Sequence, residues 1–102
     1  IHNFAFGGSN ACPNTAFDAV PGNPPHLNQQ VEMYLDQLAN DMEFAEKVSG
    51  PRIAAIWIGA DDFVHLPVGT LPDQSFITNI LTCVKGAVTM LFENDPMLTN
   101  VV

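Results

Sequence analysis

Basic residues are scarce in this chain: Lys and Arg together number three, against eleven Asp and Glu, for a formal net charge of −8. Lys47, Arg52 and Lys85 stand singly. Binding nucleic acid or an anionic membrane surface needs grouped cations, so neither is expected as a partner. No apolar run approaches the ~20 residues that cross a bilayer, and the first residues have neither the cationic nor the apolar region of a signal peptide. The chain opens on Ile1 rather than Met, and we read it as an internal piece of a longer protein. Cysteine is limited to Cys12 and Cys83, with no CxxC and no Cys/His spacing that suggests zinc. Two buried thiols packing as small hydrophobes is the plain expectation, and one disulfide, formed in an oxidising compartment, is the alternative.

Hydrophobic residues make up 47% of the 102 and charged residues only 14%. That balance belongs to a folded interior rather than a disordered chain. The length allows one small domain over residues 1–102, and a chain of this size buries about 60–70% of its unfolded surface.

Residues 1–6 alternate loosely in apolar character and run into Gly7-Gly8-Ser9-Asn10, which predicts a short strand ending in a glycine turn. Five prolines and glycines between Asn10 and Pro25 mark a surface loop. From Leu27, apolar residues recur at Val31, Leu35, Leu38, Met42 and Ala45, the three- and four-residue steps of one helical stripe, which Gly50-Pro51 stops. Glu32, Asp36, Asp41, Glu43 and Glu46 form its solvated face.

Ile53 to Ile58 is a short, almost unbroken apolar run, the pattern of a strand buried on both faces, and Trp57 is expected to pack within it. Asp61 and Asp62 follow at its C-terminal end, the edge at which open α/β sheets bind ligands. After a loop over 66–72, a helix over 73–85 with Gly86 beyond its end and a second buried strand over Ala87–Phe92 complete the series. Strand, helix, strand, helix, strand predicts a layered α/β sheet in which 53–58 and 87–92 pair in parallel.

Two segments, Asn3-Phe4-Ala5-Phe6-Gly7-Gly8-Ser9 and Ile56-Trp57-Ile58-Gly59-Ala60-Asp61-Asp62-Phe63, resemble the second and third conserved blocks of the SGNH/GDSL ester hydrolases. The tail, Gly86-Ala87 followed by an apolar run and Asn94-Asp95-Pro96-Met97-Leu98, is similar to the corresponding stretch of fungal and plant members. The resemblance implies a partial three-layer αβα sandwich of flavodoxin-like type, mostly parallel, with its first strand and C-terminal part missing. It implies a secreted serine esterase, lipase or carbohydrate acetylesterase that acts on a small ester, an acetylated sugar or a lipid or aryl ester, without a cofactor or a metal. Its remaining partner is the rest of its own polypeptide.

In that chemistry, serine attack on the ester turns the carbonyl into an oxyanion, which preorganised donors stabilise. The resemblance places Gly8 and position 61 as oxyanion donors, and Asp62 as the residue that supports the third block. Asp61 stands where the family has Asn, and an ionised carboxylate has no proton to donate. The G-D-S turn that supplies the nucleophile and the D-x-x-H that supplies the base are both absent, so this chain alone is expected to have no esterase activity above background. A degenerate, non-catalytic binding module of the same fold is the alternative.

Two other arrangements use the same residues. A helical turn over 61–65 would bring Asp61 and His65 within reach of one another as metal ligands or an acid–base pair, against the plainer reading of an exposed loop histidine. An independent flavodoxin-like domain would need Gly7-Gly8-Ser9 to cradle a phosphate.

Overall fold

The computed structural model describes residues 2–102. Helices occupy about half of the chain: α1 (Thr15–Asp18), α2 (Leu27–Asn40), α3 (Met42–Lys47), α4 (Ala60–Val64) and α5 (Gln74–Asn94). Two short strands, β1 (Arg52–Ala54) and β2 (Leu98–Val101), pair in parallel and make up the whole sheet among the described residues. This overturns the expected three-layer αβα sandwich with a mostly parallel sheet, because a two-stranded sheet has too little surface to carry a helical layer on each face.

The polar signals in the sequence set the helix ends. The α2 helix follows Pro24-Pro25, and Gln29 Oε1 accepts from the His26 backbone N–H at 3.0 Å. Asp41 both ends α2 and starts α3: its N–H donates to Gln37 O at 2.9 Å, and its Oδ1 accepts from Phe44 N at 3.0 Å. The single helix expected over 27–48 is therefore two, because an Asp that bonds the amide three residues ahead favours a cap over helix interior. That Phe44 N–H bond holds the Asp41 carboxyl below its ordinary pKa. Asp73 caps α5 in the same way, through Phe76 N at 2.8 Å.

The main departure lies in α5. Ala87–Phe92 does not form a strand but continues the helix through Gly86 to Asn94. The stripe Ile80, Val84, Ala87 and Leu91 keeps helical steps; Val84, Ala87 and Leu91 pack against α2 and the sheet, and Ile80 packs with Ala11 and Cys12. An interior glycine costs about 1 kcal/mol, less than is gained by burying Ala87 and Leu91, which are 0% and 4% exposed. A short apolar run bounded by turn residues is ambiguous between strand and helix, and here the helix wins. The resulting α5 is 21 residues long with a mean hydropathy of 1.5 over its most apolar window. It is therefore long and apolar enough to cross a membrane by length and composition, which no unbroken apolar run in the sequence indicated.

The parallel partner of β1 is thus β2 rather than 87–92. Arg52 N donates to Met97 O at 2.8 Å, Ile56 N to Val102 O at 2.8 Å, and Val102 N to Ala54 O at 2.9 Å. Only alternate residues of the apolar run face inward: Ala54, Ile56 and Ile58 pack on the core formed by Leu27, Val31, Ala87, Leu91 and Leu98. Ile53 is 69% exposed and Trp57 fully exposed. The strand is covered on one face, not two, and Trp57 does not pack. Residues 2–6 form no strand either; Phe4 and His2 instead lie edge-on against Tyr34 and Phe44.

One buried ion pair ties these pieces together. Asp95 is 1% exposed, and its carboxylate takes both Nε (3.0 Å) and Nη2 of Arg52, the Tyr34 hydroxyl at 2.7 Å and the Met97 amide at 3.0 Å. Burial pushes the Asp95 carboxyl up, but Arg52, Tyr34 and the Met97 N–H outweigh it and leave its pKa below the ordinary value. Tyr34 is pushed up to about 12 by burial and by its bond to Asp95.

Two measurements follow from this packing. Arg52→Met should lower the unfolding free energy by about 3–5 kcal/mol, since it leaves the buried Asp95 charge without its partner, and Asp95→Asn by less, since Arg52 is partly exposed and the amide oxygen still accepts; urea denaturation reads this directly. Because the Asp95 pKa is depressed, its contribution is complete above about pH 4 and is lost as the pH falls through the folded value. The raised Tyr34 pKa gives the opposite sign, a contribution present below pH 10 and lost as the pH rises towards 12. The second measurement concerns Trp57, the only tryptophan. Its emission should match free indole and be fully open to acrylamide, whereas a blue-shifted, protected signal would show that the outer face of β1 is covered.

Candidate functional site

The most deeply buried stretch of backbone is not in a helix or strand but in the turn Ser9-Asn10-Ala11-Cys12, at 3%, 1%, 0% and 6% exposure. A buried turn must find partners for its own N–H and C=O groups. The Ala11 and Cys12 amides donate to the two carboxylate oxygens of Asp62, at 2.7 and 3.1 Å. Asn10 O accepts from Leu27 N at 3.0 Å, at the start of α2, and Ser9 Oγ donates back to Phe6 O at 2.9 Å.

Asp62 reaches this turn because Gly59, with φ +113°, turns the chain sharply out of the apolar run and into α4. Asp62 lies in the first turn of that helix and is 8% exposed. The second of the two glycine-bearing segments thereby supplies the carboxylate, but the amides it binds, Ala11 and Cys12, lie just beyond the first segment, which ends at Ser9. A covalent tie holds the same turn from its other side, for Cys12 is bonded to Cys83 of α5. The two cysteines are not free thiols: the turn and the buried stripe of α5 bring them together across 71 residues, a proximity that spacing alone does not reveal.

Gly8 has φ +82°, in the left-handed region where side chains are disfavoured. A Cβ there would meet Pro24 Cγ at 3.7 Å, an ordinary contact, so the backbone angle and not crowding calls for glycine. Asp61 lies beside Asp62 in α4 and is partly exposed; its carbonyl accepts from His65 N at 2.9 Å. No hydrogen bond among the described residues joins the Asp61 side chain to Gly8 or to His65. The His65 ring turns instead to Asn10, Nδ1 to Oδ1 at 2.7 Å, and stacks on Phe17 with centroids 4.1 Å apart. His65 is thus neither a loop histidine without contacts nor the partner of Asp61. Its true partner, Asn10, is 55 residues away and carried no signal in the sequence.

Two cavities frame these residues. The smaller, about 130 Å³, is lined by Asn10, Cys12, Asp62, His65, Phe76 and Asn79 among others. The larger, an open groove of about 800 Å³, lies between residues 2–5, α2 and β1. The groove contains none of Gly8, Asp61 and Asp62, and no acidic residue lines it, so its size does not make it the centre of the chemistry. Set beside family models, characterised proteins and solved structures, the chain matches none of them.

Both ties on the buried turn are open to test. Asp62→Ala strands two buried amides and should cost about 3 kcal/mol, while Asp62→Asn, which keeps one acceptor oxygen, should cost less. Reducing a bond that closes a loop of this length should cost about 4 kcal/mol in the chain-entropy picture. Urea unfolding with and without dithiothreitol measures both, and losses below about 1 kcal/mol would mean that the turn is held by packing alone.

Proposed function

We propose that the chain is the oxyanion-binding portion of a serine-type ester hydrolase, as its resemblance to the SGNH/GDSL enzymes suggests. The observation that carries this reading is the Asp62 clamp, which fastens the 59–63 turn to the Ala11 and Cys12 amides, three and four residues beyond Gly8. An oxyanion site needs donors held still before the charge develops, and a turn fastened by a carboxylate on one side and a disulfide on the other has that rigidity. The substrate is a small ester, an acetylated sugar or a lipid or aryl ester. The serine and the histidine of the D-x-x-H motif come from elsewhere in the polypeptide. Gly8 offers its backbone N–H, Asp61 holds the position of the side-chain donor, and Asp62 positions the turn.

Asp61 favours a second reading, a binding module that has lost catalysis, because a carboxylate at the oxyanion repels it where an amide would donate. One substitution separates the two. In a protein in which these residues are joined to a G-D-S turn and a D-x-x-H segment, Asp61→Asn should speed p-nitrophenyl acetate hydrolysis at pH 7 by ~10²–10³, the usual worth of one such donor. An Asn variant no faster than the parent would remove position 61 from the oxyanion site and leave the binding module as the better account.

A further inference from the structure

The His65 ring is held on two sides. Phe17 of α1 stacks on one face, the ring planes 28° apart, and Asn10 Oδ1 meets Nδ1 at 2.7 Å. Asn10 is 1% exposed and its Nδ2 is sealed without a hydrogen-bond partner, so its side-chain amide is oriented by packing and by the contact of Oδ1 with His65 alone. The turn itself is fixed by Asp62 and by the Cys12–Cys83 bond. An amide oxygen only accepts, so the ring nitrogen facing it carries the hydrogen. A neutral imidazole has one N–H, and placing it on Nδ1 leaves the lone pair on Nε2. Among the described residues Nε2 has no hydrogen-bond partner, and it is not one of the sealed polar atoms.

The ring lines the smaller cleft together with the polar residues Asn10, Asn14, Asp62 and Asn79 and with apolar residues such as Phe76 and Ile80. About 130 Å³ is room for about four waters or one short alcohol. A histidine with its tautomer set by a buried amide, its ring held by an aromatic face and lining a small cleft, and one nitrogen neither sealed nor partnered has the parts of a general base: reach, orientation and an unprotonated atom.

We propose that His65 is a base whose Nε2 takes the proton of a water or short alcohol held in this cleft, with Asn10 as the residue that positions the ring. The O–H bond breaks as the Nε2–H bond forms, the ring becomes a cation, and the oxygen keeps the electron pair. That oxygen attacks an acyl carbon, and the ring proton is then available to the departing alkoxide. The identity of the electrophile rests on the ester reading, whereas the state of the ring does not.

Two experiments on the intact chain test the proposal. Ring ¹⁵N spectra of the uncharged ring should show His65 with Nδ1 protonated and Nε2 bare, unlike the exposed His2. The Asn10→Asp variant, which keeps an acceptor oxygen, should retain that pattern and Asn10→Leu should lose it. The chain should also hydrolyse p-nitrophenyl acetate slowly, with loss of the reaction in His65→Gln and no change in His2→Gln. A protonated Nε2 in the unmodified chain, which is the result if Asn10 presents its Nδ2 to the ring, overturns the proposal even if the variants fail to fold. Hydrolysis that is absent, or that survives His65→Gln, overturns the role as base. Failure of the ester reading itself would appear separately, at Asp61→Asn in the joined protein.

Discussion

The carboxylate of Asp95 is the point on which the architecture turns. It lies where α5 gives way to β2, and it accepts from the side chains of α2 and β1 and from the backbone two residues ahead. Arg52 extends the connection by donating to Val48 O at 2.7 Å, just after α3. A buried charge is tolerated only when paired and hydrogen-bonded, so this group dictates where four elements can sit. The parallel pairing of β1 and β2 follows, since it begins with Arg52 and Met97, two of the three residues that the Asp95 carboxylate engages.

A second acidic side chain does the same for the candidate site. Asp62 organises a buried turn that has little apolar surface of its own, and the disulfide fastens that turn to α5. Asn10, Asp62 and Asp95 are all buried polar residues. In a chain this short, hydrophobic burial is limited, and much of the definition of the structure comes from satisfied polar groups rather than from the core. Those groups place the Gly8 turn, α4 and His65 in one region, and none of them belongs to the apolar patterns that mark the elements.

The open side of the structure has a related cause. The apolar run 53–58 has one strand beside it and packing on one face, so Ile53 and Trp57 stay in water. In the sequence these residues are indistinguishable from inward-facing Ile56 and Ile58, because an unbroken apolar run does not say which face will be covered. The periodicity that would have shown it is erased when both sets of positions are hydrophobic.

Local chemistry determined the capped ends at Asp41 and Asp73, the apolar stripe of α2, the proline-rich loop before it, and the turns at Gly8 and Gly59, because each depends on interactions within a few residues. Gly8 was singled out only through the resemblance to the SGNH/GDSL blocks, and Asp61 and Asp62 also by their place at the end of the apolar run. Only the tertiary structure decided that 87–92 continues a helix, that Leu98–Val101 is the partner of β1, that Cys12 meets Cys83, and that Asp62 and His65 turn to residues 10–12 rather than to Asp61. These outcomes depend on contacts between residues tens of positions apart. The free energy of such contacts comes from burial and paired charge, and a short apolar run suits a strand or a helix until its neighbours are in place.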